Sequence, residues 1–534
     1  MPDRRIGMRP GPSWDPHTSV LEPNRGILGK WRLYYRYARY DPAIMKWSYA
    51  ATLLVIAGIL GYQLMIPPVI GLADQGDYAR LLGAFHLGPV AHTAEDRYYR
   101  YFNRTYQPDP SFRLPGWEIY SSQDILVGSA LLLNKWISKD GLFDIRVLSF
   151  LEALAFLAIC YFLLRATRKL LPGRLHFLIA AALIIVFCDV GYICYFNSFY
   201  SEPATYLSLL ALLAVWLDWI AHGPGARRGQ AKYLALFCLF ALLFVAAKPQ
   251  NVAAGVLLGL YIFRFRKLLR RQWMAPASGA AILVGSLAVY WSVPRLVRLA
   301  DVYNMVFMQM APASPDPAGA LRELGLDPSY ARYSGSGAFA PTTGFWNAAF
   351  QDQLDARVSR FTIVWYYVRQ PVKLLNYVRA VLPRGASLRA EGVGNFERSA
   401  GYPPFARARS FAIWSRFRER YLSGWSSGVL IGLMLSVFGA GWIAARSGDV
   451  QARLLAECYA VLALMAVIVF FTTILGDAHD LVKHLHLYNL LTDVCLVFGL
   501  TALFRRVSAG RDAGSSLDRR QSAAWSQIES GRCD

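Results

Sequence analysis

The sequence predicts an all-α polytopic membrane protein, a bundle of about ten transmembrane helices with short helices along its outer surface and one large outer loop. Three observations predict it. Of the 534 residues 55% are hydrophobic, 14% aromatic and only 17% charged, which is too apolar for a soluble chain of this size. Apolar runs of roughly the 20 residues that a bilayer-crossing helix needs recur along the whole chain. Charge also sorts between alternate connections. Positions 165–174 (Arg165, Arg168, Lys169, Arg174), 221–232 (Arg227, Arg228, Lys232) and 264–271 (Arg264, Arg266, Lys267, Arg270, Arg271) are basic and free of acids, and the positive-inside rule makes them cytoplasmic. The connections between them carry acids and amides, so a polar, acid-bearing face is expected outside.

In chain order, residues 1–47 form a basic and aromatic cytoplasmic segment, in which Trp31 to Trp47 mixes Arg and Lys with Tyr and Trp in a composition suited to the headgroup level. About 45 polar residues before the first apolar run give no cleavable-signal design. The spans are expected near 48–70, 143–164, 176–196, 203–220, 232–247, 250–263, 276–293, 425–444, 454–475 and 485–504, the first seven lying within 48–293 and the last three within 425–504. The fifth and sixth are short and are separated by Pro249. An even count puts both termini in the cytoplasm, in agreement with Lys30, Arg32, Arg36, Arg39 and Lys46 before the first span and Arg505 and Arg506 after the last. The first outer loop, 71–142, contains an apolar stretch from Ser121 to Ile137, too short to span, that reads as an interfacial or re-entrant helix. The large outer loop, 294–424, has helical patterns over Gln351 to Val368 and Val372 to Val381, restarted at Pro371. The tail, 505–534, is Ser-, Gly-, Arg- and Asp-rich without apolar periodicity and is expected to be disordered.

The formal charge of +21 would point to nucleic acid in a soluble protein. Here much of it sits beside apolar runs, where it orients helices and meets anionic membrane lipids, so no nucleic-acid partner is expected. Six of the seven cysteines lie in apolar segments and the seventh, Cys533, in the tail, leaving no disulfide framework or CxxC metal site outside.

Four outer clusters carry chemistry. Asp74-Gln75-Gly76-Asp77 follows the first span; two carboxylates three residues apart share a face if the chain turns helically, and Gly76 admits a close backbone approach. Solvated loop acids are the plainer reading. Asn197 to Glu202 is a turn so short that Glu202 must sit near the membrane surface. Lys248, with Gln250 and Asn251, occupies a similar outer turn, where its ammonium suits a lipid phosphate or Glu202, although snorkelling would also place it there. The last outer turn holds Asp477, His479, Asp480, Lys483, His484 and His486. On one helix His479, Lys483 and His486 would share a face and Asp480 would pair with His484, a cationic and imidazole-lined surface that fits phosphate better than a metal. Glu152, Asp189 and Asp493, in or near spans, read as hydrogen-bonded groups facing the bundle.

The N-in layout, the acidic motif Ala73-Asp74-Gln75-Gly76-Asp77-Tyr78, the Asn197 to Glu202 turn, Leu324-Gly325-Leu326-Asp327-Pro328 followed by Tyr333-Ser334-Gly335, and Lys483-His484-Leu485 together resemble the GT-C superfamily of membrane glycosyltransferases. Within it they resemble bacterial hexosyltransferases of S-layer and surface-polysaccharide biosynthesis. The resemblance implies a GT-C-like bundle in the cytoplasmic membrane with an active site facing the periplasm. It further implies a polyprenyl-phosphate-linked sugar donor, transfer with inversion to a glycan or lipid acceptor, and a first-loop aspartate as general base. That base maps to Asp74, with Asp77 second. Gln75 after Asp74 departs from the Asp-Glu pair of protein mannosyltransferases and makes a protein acceptor less expected. Glu202, Lys248, Gln250, Asn251, Asp477, His479, Asp480, Lys483 and His484 are the expected substrate-binding residues, with cations such as Lys248 and Lys483 on the departing phosphate, and no metal or other cofactor is expected. Two other classes share parts of this layout, a lipid-linked glycan transporter or flippase and a polysaccharide polymerase or ligase; the first would place its polar sites at the bilayer midplane.

Overall fold

The structure, a computed structural model, describes residues 42–90, 93–111, 116–171, 173–223 and 229–505. The expected headgroup segment before 42, the basic residues Arg227 and Arg228, and the tail beyond 505 lie outside them. By contacts the chain divides at Ser48/Tyr49, and apart from the first residues of the first helix everything that follows concerns the unit from Tyr49 onward.

Among the described residues eight helices are long and apolar enough to cross a membrane. They are α1 (Pro42–Leu64), α3 (Arg146–Leu170), α5 (Glu202–His222), α6 (Gln230–Ala247), α8 (Met274–Ser292), α11 (Ser426–Arg446), α12 (Val450–Ile474) and α13 (His486–Arg505). Of the ten expected spans, two therefore differ. The third is not one straight helix: α4 (Gly173–Ile185) is followed by Val190–Phe196 at an angle of 54°. Asp189 occupies the break. Its Oδ1 accepts from the Gly191 amide (2.8 Å) and its Oδ2 from the Trp414 and Ser415 amides (2.8 and 3.0 Å), while the Val190 amide donates to the Phe411 carbonyl at 3.0 Å. A carboxylate and the segment 411–415 thus satisfy backbone groups that an apolar interior would leave unpaired. The sixth expected span contains an α-helix of only 10 residues, α7 (Val252–Tyr261), continued as a 3-10 helix over Ile262–Leu268. At about 1.5 Å per α and about 2.0 Å per 3-10 residue, the pair reaches roughly 29 Å, close to the hydrocarbon thickness of about 30 Å.

Local sequence explains the helix boundaries. Pro203 at the first turn of α5, behind Glu202, starts that helix without costing an intrahelical bond. Asp449 caps α12 by accepting from the Gln451 and Ala452 amides. At the end of the bundle away from the outer loops, Lys169 pairs with Asp218 (2.5 Å) and Arg264 with Glu457 (3.1 Å), so the basic connections lock helix ends together.

The two outer regions form one body rather than two. The first is not purely helical: Leu87–Pro89, Thr105–Pro108 and Phe143–Asp144 make a three-stranded antiparallel sheet with Gly88 opposite Gln107 and Tyr106 opposite Phe143. The apolar stretch expected from Ser121 folds as α2 (Gln123–Ile137). The large loop contributes helices Ala348–Arg357, α9 (Arg360–Arg369) and α10 (Pro371–Gly385); the pattern expected over Gln351 to Val368 is split at Val358 and Ser359, where Ser359 caps α9, and the second falls within α10. The loop's segment 393–396 bonds to the first region through Gly71 N to Asn395 O (3.0 Å), Ala73 N to Gly394 O (3.0 Å) and Phe102 N to Phe396 O (2.9 Å). Gly394 sits against the Arg100 carbonyl, where a Cβ would collide. Tyr78, Tyr106, Phe143 and Phe199 close the shared core, with Tyr106 and Phe199 edge to face at 4.7 Å.

A buried ion pair fastens this body to the spans. Arg418 of the large loop reaches Asp493 inside α13, which also accepts from the Tyr192 hydroxyl and the Trp414 indole at 2.7 Å each; Arg418 further meets Asn489 and the Ala386 carbonyl. Glu152 is likewise buried, accepting from the Gln123 amide at 2.6 Å.

Candidate active site

The ends of α5, α6, α8 and α12 away from the basic connections, with the two regions expected outside, enclose a cavity of about 1070 Å³. The chain reaches it from α1 through Asp74-Gln75-Gly76-Asp77. Gly76 has φ +108°, a conformation that favours glycine and lets the chain reverse, so that Asp77 faces the cavity while Asp74 points back into the turn. Asp74 Oδ1 accepts from the amides of Gly76 (2.6 Å) and Tyr78 (3.2 Å), and Asp74 is not part of the cavity wall. Burial pushes its carboxyl up to about 7 despite those amides. Asp77 has the opposite character. Burial opposes its ionisation, but the Arg80 guanidinium at 3.1 Å and the Lys483 ammonium outweigh burial and hold it well below the usual carboxylate range.

The last outer turn departs from the expected single helix. Asp480 takes a left-handed conformation (φ +48°) and the helix begins only at Leu481, lasting to His484. His479 is therefore off the Lys483 face, and Asp480 pairs with His479 (Nδ1 to Oδ2, 3.1 Å) rather than with His484, whose Nδ1 is 3.6 Å from Asp477. His486 turns away into the bundle, edge-on to Tyr192 and Tyr195. Lys483 is 2% exposed and is absent from the cavity wall; it bridges Asp77 and Asp480 (3.7 Å to the latter) and lies 5.0 Å from the Tyr200 ring. Its ammonium is a strut between the first and last outer turns, which removes it as a free phosphate ligand. Gln75 donates to the same Asp480 carboxylate.

Lys248 and Glu202 are paired at 2.6 Å, and both line the cavity with Gln250. Asn251 does not: it is buried, bonding the Thr205 hydroxyl (3.0 Å) and the Phe244 carbonyl (2.7 Å), and holds α5 against α7. Asp477, His479, Asp480 and His484 complete that wall. Asp477 accepts from Asn304 (3.1 Å) and the His479 amide (2.9 Å), and burial, with Asp301 nearby, pushes it up to about 7.

Sequence reasoning missed several wall residues. Arg80 lies one turn after Asp77, and an i, i+3 acid–base pair at a helix start was a readable signal. Arg360 pairs with Asp301 at 2.7 Å across 59 positions, and nothing in the local sequence marks either. Trp117, Phe339 and Trp346 form an aromatic rim with ring centres 5.3 to 6.4 Å apart. Among the described residues no group of three or more His, Cys, Asp or Glu is arranged to hold a metal ion. The cavity thus offers guanidinium and ammonium groups for an anion, carboxylates, two imidazoles and apolar walls.

No curated protein matches the chain. Among solved structures, the oligosaccharyltransferase of Archaeoglobus fulgidus in its apo form is similar at a TM-score of 0.36 and 13% identity, covering 88% of this chain and 52% of that one. So loose a likeness fixes neither the helix arrangement nor an activity, and this chain spans about half the length of that protein. The model of the YfdI N-terminal transmembrane domain family matches residues 38–521, nearly the whole chain, and the protein belongs to that family.

Proposed function

We propose that the protein is a membrane glycosyltransferase that moves a sugar from a polyprenyl-phosphate donor to a glycan or lipid-linked acceptor on the outer face of the cytoplasmic membrane, with inversion. One observation carries the reading: acids, cations and two imidazoles from six separated stretches meet on one cavity at the ends of the spans, opposite the basic end of the bundle. A transporter site belongs nearer the midplane. Arg80, Lys248 and Arg360 take the donor phosphate, whose charge grows as the bond to the anomeric carbon breaks. Asp77, kept ionised by its cations, faces the positive charge that develops on the sugar, and Asp74 acts from behind by fixing the Gly76 turn. Glu202, Gln250 and Asp477 hold sugar hydroxyls or position those that do.

Mass analysis of surface glycans from cells lacking this protein is the experiment. Loss of a single sugar residue is the expected result, and unchanged masses would contradict the reading. Orientation is separately checkable. Glu391→Cys, in the large outer loop, is expected to react with a membrane-impermeant maleimide in intact cells, and Arg227→Cys only after permeabilisation. The reverse pattern would turn the cavity to the cytoplasm.

A further inference from the structure

Transfer to a hydroxyl releases a proton, and the carboxylates of the cavity are poorly placed to take it. Asp77 is clamped by Arg80 and Lys483, Glu202 by Lys248 and Asp301 by Arg360. Asp74 is turned away, and Asp477 Oδ1 is occupied by Asn304 and a backbone amide. His479 is placed differently. Its side chain is 38% exposed on the cavity wall, its Nδ1 is 3.1 Å from Asp480 Oδ2, and among the described residues its Nε2 has no partner. Asp480 is itself held by Gln75 and Lys483 at the same Oδ2 that faces His479, in a backbone conformation that few non-glycine residues adopt. A carboxylate that accepts from Nδ1–H fixes the tautomer in which Nε2 is a free base, and it stabilises the imidazolium once formed.

We propose that His479, oriented by Asp480, is the proton acceptor of the transfer reaction. This role rests on the glycosyltransferase reading. The acceptor oxygen bonds to the anomeric carbon as the bond from that carbon to the phosphate oxygen breaks. The bonding pair leaves with the phosphate, and the hydroxyl proton passes to His479 Nε2 and later to water.

The proposal has a pH signature. His479 must be neutral to act, so kcat falls as pH drops through its pKa. The Asp480 hydrogen bond raises that pKa above the usual 6.5 against the effect of burial; Asp477 adds to the rise and Lys483 opposes it. The other groups around the dyad are His484, whose charge bears on Asp480; Asp77 and Gln75 of the first turn; and Tyr99, Asp301 and Asn304. Removing the Asp480 charge should therefore move the acidic limb to lower pH.

The test uses the full-length purified protein in nanodiscs with a polyprenyl-phosphate hexose, measuring kcat and KM against pH. His479→Gln is expected to lower kcat by about 10²- to 10⁴-fold, with donor KM unchanged and the acidic limb abolished. His479→Asn serves if the Gln variant does not fold. Asp480→Asn should retain part of the activity with its acidic limb shifted downward. Wild-type kcat in His479→Gln, or a reduced kcat with the limb unmoved, would overturn the role. Wild-type protein that transfers no sugar at any pH would instead remove the glycosyltransferase reading, and this role with it.

Discussion

Asp77→Asn is expected to lower kcat by about 10²- to 10³-fold, the scale of losing one preorganised charge at a reacting centre. It should also lower the thermal midpoint, because Lys483, almost wholly buried, loses its nearest counter-ion. Breaking a buried pair by removing one partner costs about 3–5 kcal/mol, although Asp480 at 3.7 Å retains some compensation here. The two effects separate in Asp77→Asn/Lys483→Met. The double variant leaves no unpaired ammonium and should regain much of the midpoint without regaining kcat. Turnover that recovers together with stability would reduce Asp77 to half of a strut.

The second large effect lies away from the cavity wall. Arg418→Met should destabilise the protein by about 3–5 kcal/mol, since the Asp493 carboxylate is fully buried in α13 and Arg418 is its charge partner. Arg418→Met/Asp493→Asn removes the stranded charge yet keeps an oxygen for the Tyr192 hydroxyl and Trp414 indole, so most of the loss should return. Thermal unfolding in detergent measures both. A double variant as unstable as the single one would show that packing of the Arg418 stem, rather than charge, joins the outer body to the spans.

Much of the architecture was legible because a bilayer imposes a length and a polarity on every crossing segment, and the four polar clusters sat at the ends of such segments. Convergence of those clusters needed only that the helices bundle. Roles within the cluster were not legible in the same way. The sequence presents Asp74 and Asp77 as equivalent acids on one face, and only the φ of Gly76 turns one inward and the other into the loop. Lys483 read as a phosphate ligand because its partner, Asp77, is 406 positions away. The expected helical face of His479, Lys483 and His486 failed at a single left-handed residue, Asp480, which breaks the 3.6-residue period there. The break at Asp189 was hidden for a related reason: its apolar flanks read as one span, and the amides that pay for the bend belong to residues 414 and 415.

The most direct measurement follows a doubly labelled polyprenyl-phosphate sugar, with one label on the sugar and one on the phosphate, in proteoliposomes containing the purified protein, acceptor glycan and excess chelator. The expected result is that the sugar label becomes covalently attached to the acceptor, the phosphate label stays with the lipid, and Asp77→Asn/Lys483→Met abolishes the separation. Both labels crossing the bilayer together, with the sugar–phosphate bond intact and the acceptor unmodified, would contradict it and make this cavity part of a transport path.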